Sequence, residues 1–114
     1  MRRTERFPVE LPVIWNRAGR EIHCNVVDVN EHGMYLATDE VVEHGALIRL
    51  KVKLPTRELE MFVTARFVGV TASGRGIGAE IFLIDDMSRC FWVAFYQELA
   101  ASFTQQRQTA AVGG

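Results

Sequence analysis

Three guanidinium groups crowd the start of the chain: Arg2, Arg3 and Arg6 lie within five residues, with Glu5 the one carboxylate among them. A guanidinium is a planar, permanently charged fork that pairs bidentately with phosphate or with the O6/N7 edge of guanine, and it stacks on purine faces. Taken alone, such a leader reads as a solvated basic tail. A second cluster stands at Asp28-Val29-Asn30-Glu31-His32-Gly33. Asp28 and Asn30 are at i and i+2 where a β-branched run ends, so both point to one side of a strand, and Gly33 lets the backbone turn sharply. Alone, that segment also serves as a plain turn, because Asx residues and glycine close strands.

Other constellations carry less. Gly74-Arg75-Gly76-Ile77-Gly78-Ala79 has the glycine spacing of a dinucleotide-binding turn, but that turn must open a helix, and here an alternating strand pattern begins. The glycines are expected to serve a hairpin and a close backbone approach. His23, His32 and His44 lack a closely spaced second ligand pair, and Cys24, beside His23, points to the other face of a strand, so no metal site is expected. No nucleophile, base and orienting group can be named from spacing, so catalytic residues are assigned to none and an enzyme is not expected. Arg49, Lys51 and Lys53 form a basic row that reads as a solvated strand face, since no aromatic residue alternates with them.

The elements that would position these groups are mostly strands. Val9, Leu11, Val13 and Trp15 alternate with polar or turn-forming neighbours, and Pro12 points to an edge position. Arg20–Asn30, Met34–Thr38, Leu47–Leu54, Leu59–Val70 and Ile77–Ile84 make further strands, separated by turns and by the acidic connection DEVVEHG. The inward residues are expected to include Phe67 on the fifth strand and Leu83 on the sixth. Asp85 or Asp86 is placed to cap a helix from about Met87 to Phe103, with Met87, Cys90, Phe91, Ala94, Phe95, Leu99 and Phe103 as its apolar stripe. The residues QQRQTAAVGG show no buried pattern, so residues 1–104 form the expected domain and 105–114 a frayed tail. Six strands joined too tightly for parallel crossovers predict an antiparallel barrel or sandwich with a C-terminal helix.

Composition bounds what such a domain can do. With 114 residues and 48% of them hydrophobic, the chain makes one domain with one core. A formal net charge of −1 leaves no broad cationic surface, so any anion site is local and nucleic acid is not an expected partner. No run of about 18 uncharged apolar residues exists, and Pro8, Glu10 and Pro12 interrupt the place where the core of a signal peptide would lie. Cys24 and Cys90 allow one long-range bridge or two free thiols, and free thiols in a reducing cytoplasm are the simpler expectation.

Read together, the two polar clusters resemble the PilZ domain, the bacterial receptor module for cyclic di-GMP. The family pattern is RxxxR and then, some twenty to thirty residues later, (D/N)xSxxG. Arg2-x-x-x-Arg6 matches the first part and Asp28-x-Asn30-x-x-Gly33 the second, with 21 residues, 7–27, between them. Asn30 stands where the family has serine. The stretches RRTERFPVELPV and GRGIGAEIF look like the family's usual surroundings, and the resemblance extends over residues 2 to about 103.

The resemblance implies a six-stranded antiparallel PilZ-like barrel with a C-terminal helix and a cyclic di-GMP site made of Arg2, Arg3, Arg6, Asp28, Asn30 and Gly33. It further implies no cofactor beyond that ligand, and a cytoplasmic adaptor, monomeric or a weak homodimer, that relays the signal to a protein partner in motility, pilus or surface-polymer control. The alternative it leaves is a ligand-free PilZ-like interaction module. A small barrel binding single-stranded nucleic acid is a distant third.

Overall fold

A computed structural model describes residues 5–113, with side chains for residues 5–105. Six strands, β1 (Phe7–Arg17), β2 (Arg20–Val29), β3 (Gly33–Ala37), β4 (Leu47–Lys53), β5 (Glu58–Thr71) and β6 (Gly74–Leu83), precede one helix, α1 (Asp86–Gly113). The strands close into an all-antiparallel barrel in the order β1-β2-β3-β6-β5-β4, with β4 returning to β1. Closure leaves no edge strand. Pro12 is accommodated differently from the edge position expected: it pairs with Asn25 of β2, but the β1–β4 ladder starts only at Val13, so its missing N–H interrupts nothing on that side.

The period of two explains the core. Ile48, Leu50 and Val52 of β4 face inward while Leu47, Arg49, Lys51 and Lys53 face water. Val13, Trp15, Val26, Val29, Met34, Leu36, Met61, Val63 and Ile77 fill the same interior. On the outer face the basic row is met by acid: Lys51 and Lys53 stand opposite Glu60 and Glu58, and Arg49 donates to Glu60 at 2.8 Å. The row is thus interleaved with acidic residues of β5.

Two expectations fail for one reason. Phe67 and Leu83 are exposed, not inward. Register breaks between Ala65 and Phe67 of β5, and between the Phe62–Leu83 and Val63–Ile81 pairs, insert one extra residue each and reverse the facing of the residues beyond them. Val68 and Ile84 consequently take the inward places.

The glycines of β5–β6 act as the hairpin and close-approach reading predicts. Gly74 turns the chain at φ +99°, while a Cβ on Gly76 would overlap the Leu36 carbonyl and lie 2.9 Å from the Tyr35 ring. Tyr35 lies over that bare backbone and donates to the Gly74 carbonyl at 2.7 Å.

One end of the barrel is spanned by residues 38–46, where Glu40 accepts from Arg17 at 2.9 Å and Arg20 at 3.3 Å. The other end is covered by α1. Its buried stripe is rotated from the expected one: Trp92 is wholly buried and Phe95, Tyr96, Leu99 and Phe103 flank it, while Met87, Cys90 and Ala94 are exposed. Arg57 lies 3.4 Å from the centre of the Phe91 ring, tying the β4–β5 turn to the helix. The helix runs ten residues past Phe103, to Gly113, through a stretch containing Gln and Ala residues that favour helix. Cys24 and Cys90 are free thiols, and burial pushes Cys24 up to about 11, which keeps it in the unreactive thiol form.

Asp85, not Asp86, is the cap. Its carboxylate accepts from the Ser88 amide at 2.8 Å and from the Ser88 hydroxyl at 2.9 Å. These bonds hold its pKa below the ordinary 3.8. A depressed native value means the contribution is complete above pH 3.8 and is lost as pH falls through the native pKa. Asp85→Asn, which still caps, is therefore expected to match the wild type in urea unfolding at neutral pH and to lose less stability than it below pH 4; parallel curves down to pH 2 would contradict this.

Candidate functional site

The site is assembled by the pairing of β1 with β2. Phe7 stands opposite Val29 and Pro8 opposite Asp28, so the residue two before Pro8 reaches the same side as Asp28. Arg6 does so: its Nε and Nη2 donate to Asp28 Oδ1 at 2.9 and 2.5 Å. The two halves of the sequence motif, 22 positions apart, meet in one ion pair. Arg2 and Arg3 lie outside the described residues.

Asn30 and Gly33 build the β2–β3 turn. The Asn30 amide N–H donates to the Gly33 carbonyl at 3.0 Å, and Asn30 Oδ1 accepts from the His32 amide at 2.8 Å, an Asx turn. Gly33 allows a close backbone approach within the sheet. A Cβ there would overlap the Ala79 carbonyl, so the close approach is to β6, its neighbour in the sheet, and its φ is not left-handed.

Beside this rim lies a cleft of about 290 Å³ lined by Arg6, Asn30, His32, Gly33, Arg66 and Glu80, among others. Arg66 donates to Glu80 at 2.9 Å and adds a second guanidinium to the cleft lining beside Arg6. Phe67, turned outward by its bulge, and Gly78 supply an apolar floor on which a flat ring can rest. Arg66, Phe67 and Glu80 were not foreseen as site residues. Their outward positions were readable for Arg66 and Glu80, but their nearness to Gly33 depends on β3 pairing with β6, which no period reveals.

Two larger clefts, about 390 and 330 Å³, lie at the opposite end around Trp15 and Arg49. Their arginines are already engaged, Arg17 with Glu40 and Arg49 with Glu60, and neither cleft touches the motif. Among the described residues no group of three or more His, Cys, Asp or Glu is placed to hold a metal, and no helix is long and apolar enough to cross a membrane.

Residues 1–91 match the family model of the PilZ domain. The chain belongs to the PilZ domain family. No curated protein matches it in sequence. Among solved structures, the inhibitor of motility MotI/DgrA of Bacillus subtilis superposes with a TM-score of 0.75 at 18% identity over 90% of this chain and 52% of the other. MrkH of K. pneumonia in its apo state gives 0.74 at 13% identity, over 93% and 55%. The PilZ domain of YcgR from Escherichia coli, solved with c-di-GMP, gives 0.69 at 9% identity, over 94% and 97%. The chain thus spans about half the length of MotI and MrkH and nearly all of the YcgR domain.

In this PilZ domain the motif glycine is structural before it is anything else. Gly33→Ala is expected to lower unfolding stability by about 1–3 kcal/mol through overpacking against β6, measured by urea titration without ligand. A wild-type midpoint would show that the β3–β6 approach is not the constraint.

Proposed function

We propose that this PilZ domain is a cytoplasmic, non-catalytic regulatory adaptor that binds cyclic di-GMP between its N-terminal arm and the β2–β3 rim. The signal passes to a protein partner in motility, pilus or surface-polymer control, with the domain acting as a monomer or weak homodimer. The observation that carries this reading is the Arg6–Asp28 pair, which brings both halves of the motif to the mouth of one cleft. The bound ligand of the YcgR domain and the motility role in the name of MotI support the same direction.

The energetics favour exchange. Arg6 and Asp28 keep 47% and 22% of their side-chain surface exposed, and such an ion pair contributes roughly 0–1 kcal/mol. A bidentate guanidinium–guanine contact is worth about 1–3 kcal/mol. A guanine edge or phosphate can therefore take Arg6 from Asp28 at a net gain, with Arg2 and Arg3 as further arm contacts and Asp28 and Asn30 meeting base or backbone groups from the barrel. The arm orders as it closes, and the ordering presents a new surface to the partner. No bond is made or broken in the ligand, so the output is a shape.

A second reading is favoured by a specific observation: Arg6, Asp28 and Asn30 all have protein partners without any ligand. On that reading the domain is a ligand-free interaction module whose motif residues only hold the turn and the arm. Calorimetric titration with cyclic di-GMP separates the two. Saturable binding is expected, and Arg6→Ala weakens it by roughly one to two decades. Absence of saturation at millimolar ligand would leave the interaction module.

A further inference from the structure

The lid helix touches both halves of the motif, and it does so with two side chains one turn apart. Trp92 Nε1 donates to the carbonyl of Glu31, the residue after Asn30, at 3.1 Å. Tyr96 donates through its hydroxyl to the carbonyl of Glu5, the residue before Arg6, at 2.8 Å. Residues at i and i+4 share one helix face, so a single rigid surface grips the turn and the arm together. Phe7 strengthens the second grip. Its ring is buried and packs on Tyr96 at 5.6 Å and on Phe103 at 5.2 Å between centroids.

Neither bond is needed to close the barrel. The β1–β2 ladder begins at Phe7, so the direction in which Glu5 and Arg6 leave the sheet is not set by strand pairing. Among the contacts that can aim the Arg6 guanidinium are its ion pair with Asp28 and the hold of α1 on the Glu5 carbonyl. The phenol is pushed above its ordinary pKa by burial and by the Glu31 and Glu5 carboxylates.

We infer that Trp92 and Tyr96 are positioning residues of the ligand site: α1 sets the arm and the β2–β3 turn relative to one another and aims Arg6 over the cleft. The inference rests on the cyclic di-GMP reading for its ligand and on the helix contacts alone for its geometry. Coupling runs both ways by linkage, so a ligand that orders the arm also stiffens α1. The helix is then the element through which occupancy of the cleft is felt on the far side of the lid, where Met87 and Cys90 are exposed.

The test is Tyr96→Phe in the full chain, which deletes the hydroxyl and keeps the ring that packs on Phe7, with Met87→Ala as a control on the exposed side. In ligand-free protein, amide exchange at Arg6 and Phe7 is expected to quicken about two- to tenfold, the equivalent of one net hydrogen bond. Core amides of β4 and β5 and the thermal midpoint stay at wild-type values. Cyclic di-GMP affinity falls by a similar factor, and Met87→Ala changes neither quantity. Arm exchange equal to wild type, or a general quickening across the barrel, overturns the inference, as does a loosened arm with undiminished affinity. A loosened arm in a protein whose wild type binds no cyclic di-GMP supports the anchoring role of α1 and removes the ligand reading alone.

Discussion

The register between β1 and β2 is the constraint on which the site depends. With Pro8 opposite Asp28, Arg6 and Asp28 fall on the same side of the ribbon, and their contact results from chain geometry before any charge is considered. A slip of one residue would send every side chain of β1 to the other face, burying Glu10 and exposing Leu11 and Val13. The hydrophobic core therefore enforces the register, and the register places the guanidinium. A weak surface ion pair could not do this by itself, since its contribution is smaller than the cost of exposing one of those core residues.

That hierarchy lets the site be both well placed and exchangeable. The strongly held parts are backbone: Gly33 against the Ala79 carbonyl, the Asx turn at Asn30, and the indole of Trp92 on the Glu31 carbonyl. Removing the Trp92 side chain would sacrifice several kcal/mol of packing, on the order of 3–5. The remaining contacts at the cleft join exposed side chains, Arg6 with Asp28 and Arg66 with Glu80. A binding surface built the other way round, with buried ion pairs at its mouth, would resist opening because each broken pair would leave an uncompensated charge.

The strands, their order in the chain and the two polar clusters were legible in the sequence because alternation is a local signal. What escaped was whatever depends on a second element. Phe67 and Leu83 look inward by parity, and only a bulge, a mismatch between two strands, turns them outward. Trp92 and Tyr96 sit one position around the helix from the stripe that the aliphatic and small residues suggested; which aromatic face is buried depends on the carbonyls of Glu5 and Glu31 waiting beneath it. Arg66 carries no motif at all. Its nearness to the rim is a consequence of β6 lying between β3 and β5, a nonlocal fact of topology.

Asn30 shows how a departure from a family pattern can be read physically. A serine hydroxyl offers one oxygen for two tasks, accepting from the backbone to hold the turn and donating outward. The asparagine amide divides them between two atoms. Oδ1 is engaged by the His32 amide at 2.8 Å, and Nδ2, with its two hydrogens, is a separate donor on a residue that lines the cleft. The turn is thus kept by the same type of bond a serine would make, while the donor stands farther from the backbone by the length of the amide. The substitution therefore keeps both kinds of hydrogen-bonding group at the rim and moves the donor farther from the backbone, on a residue that shares the cleft lining with Arg6 and Arg66.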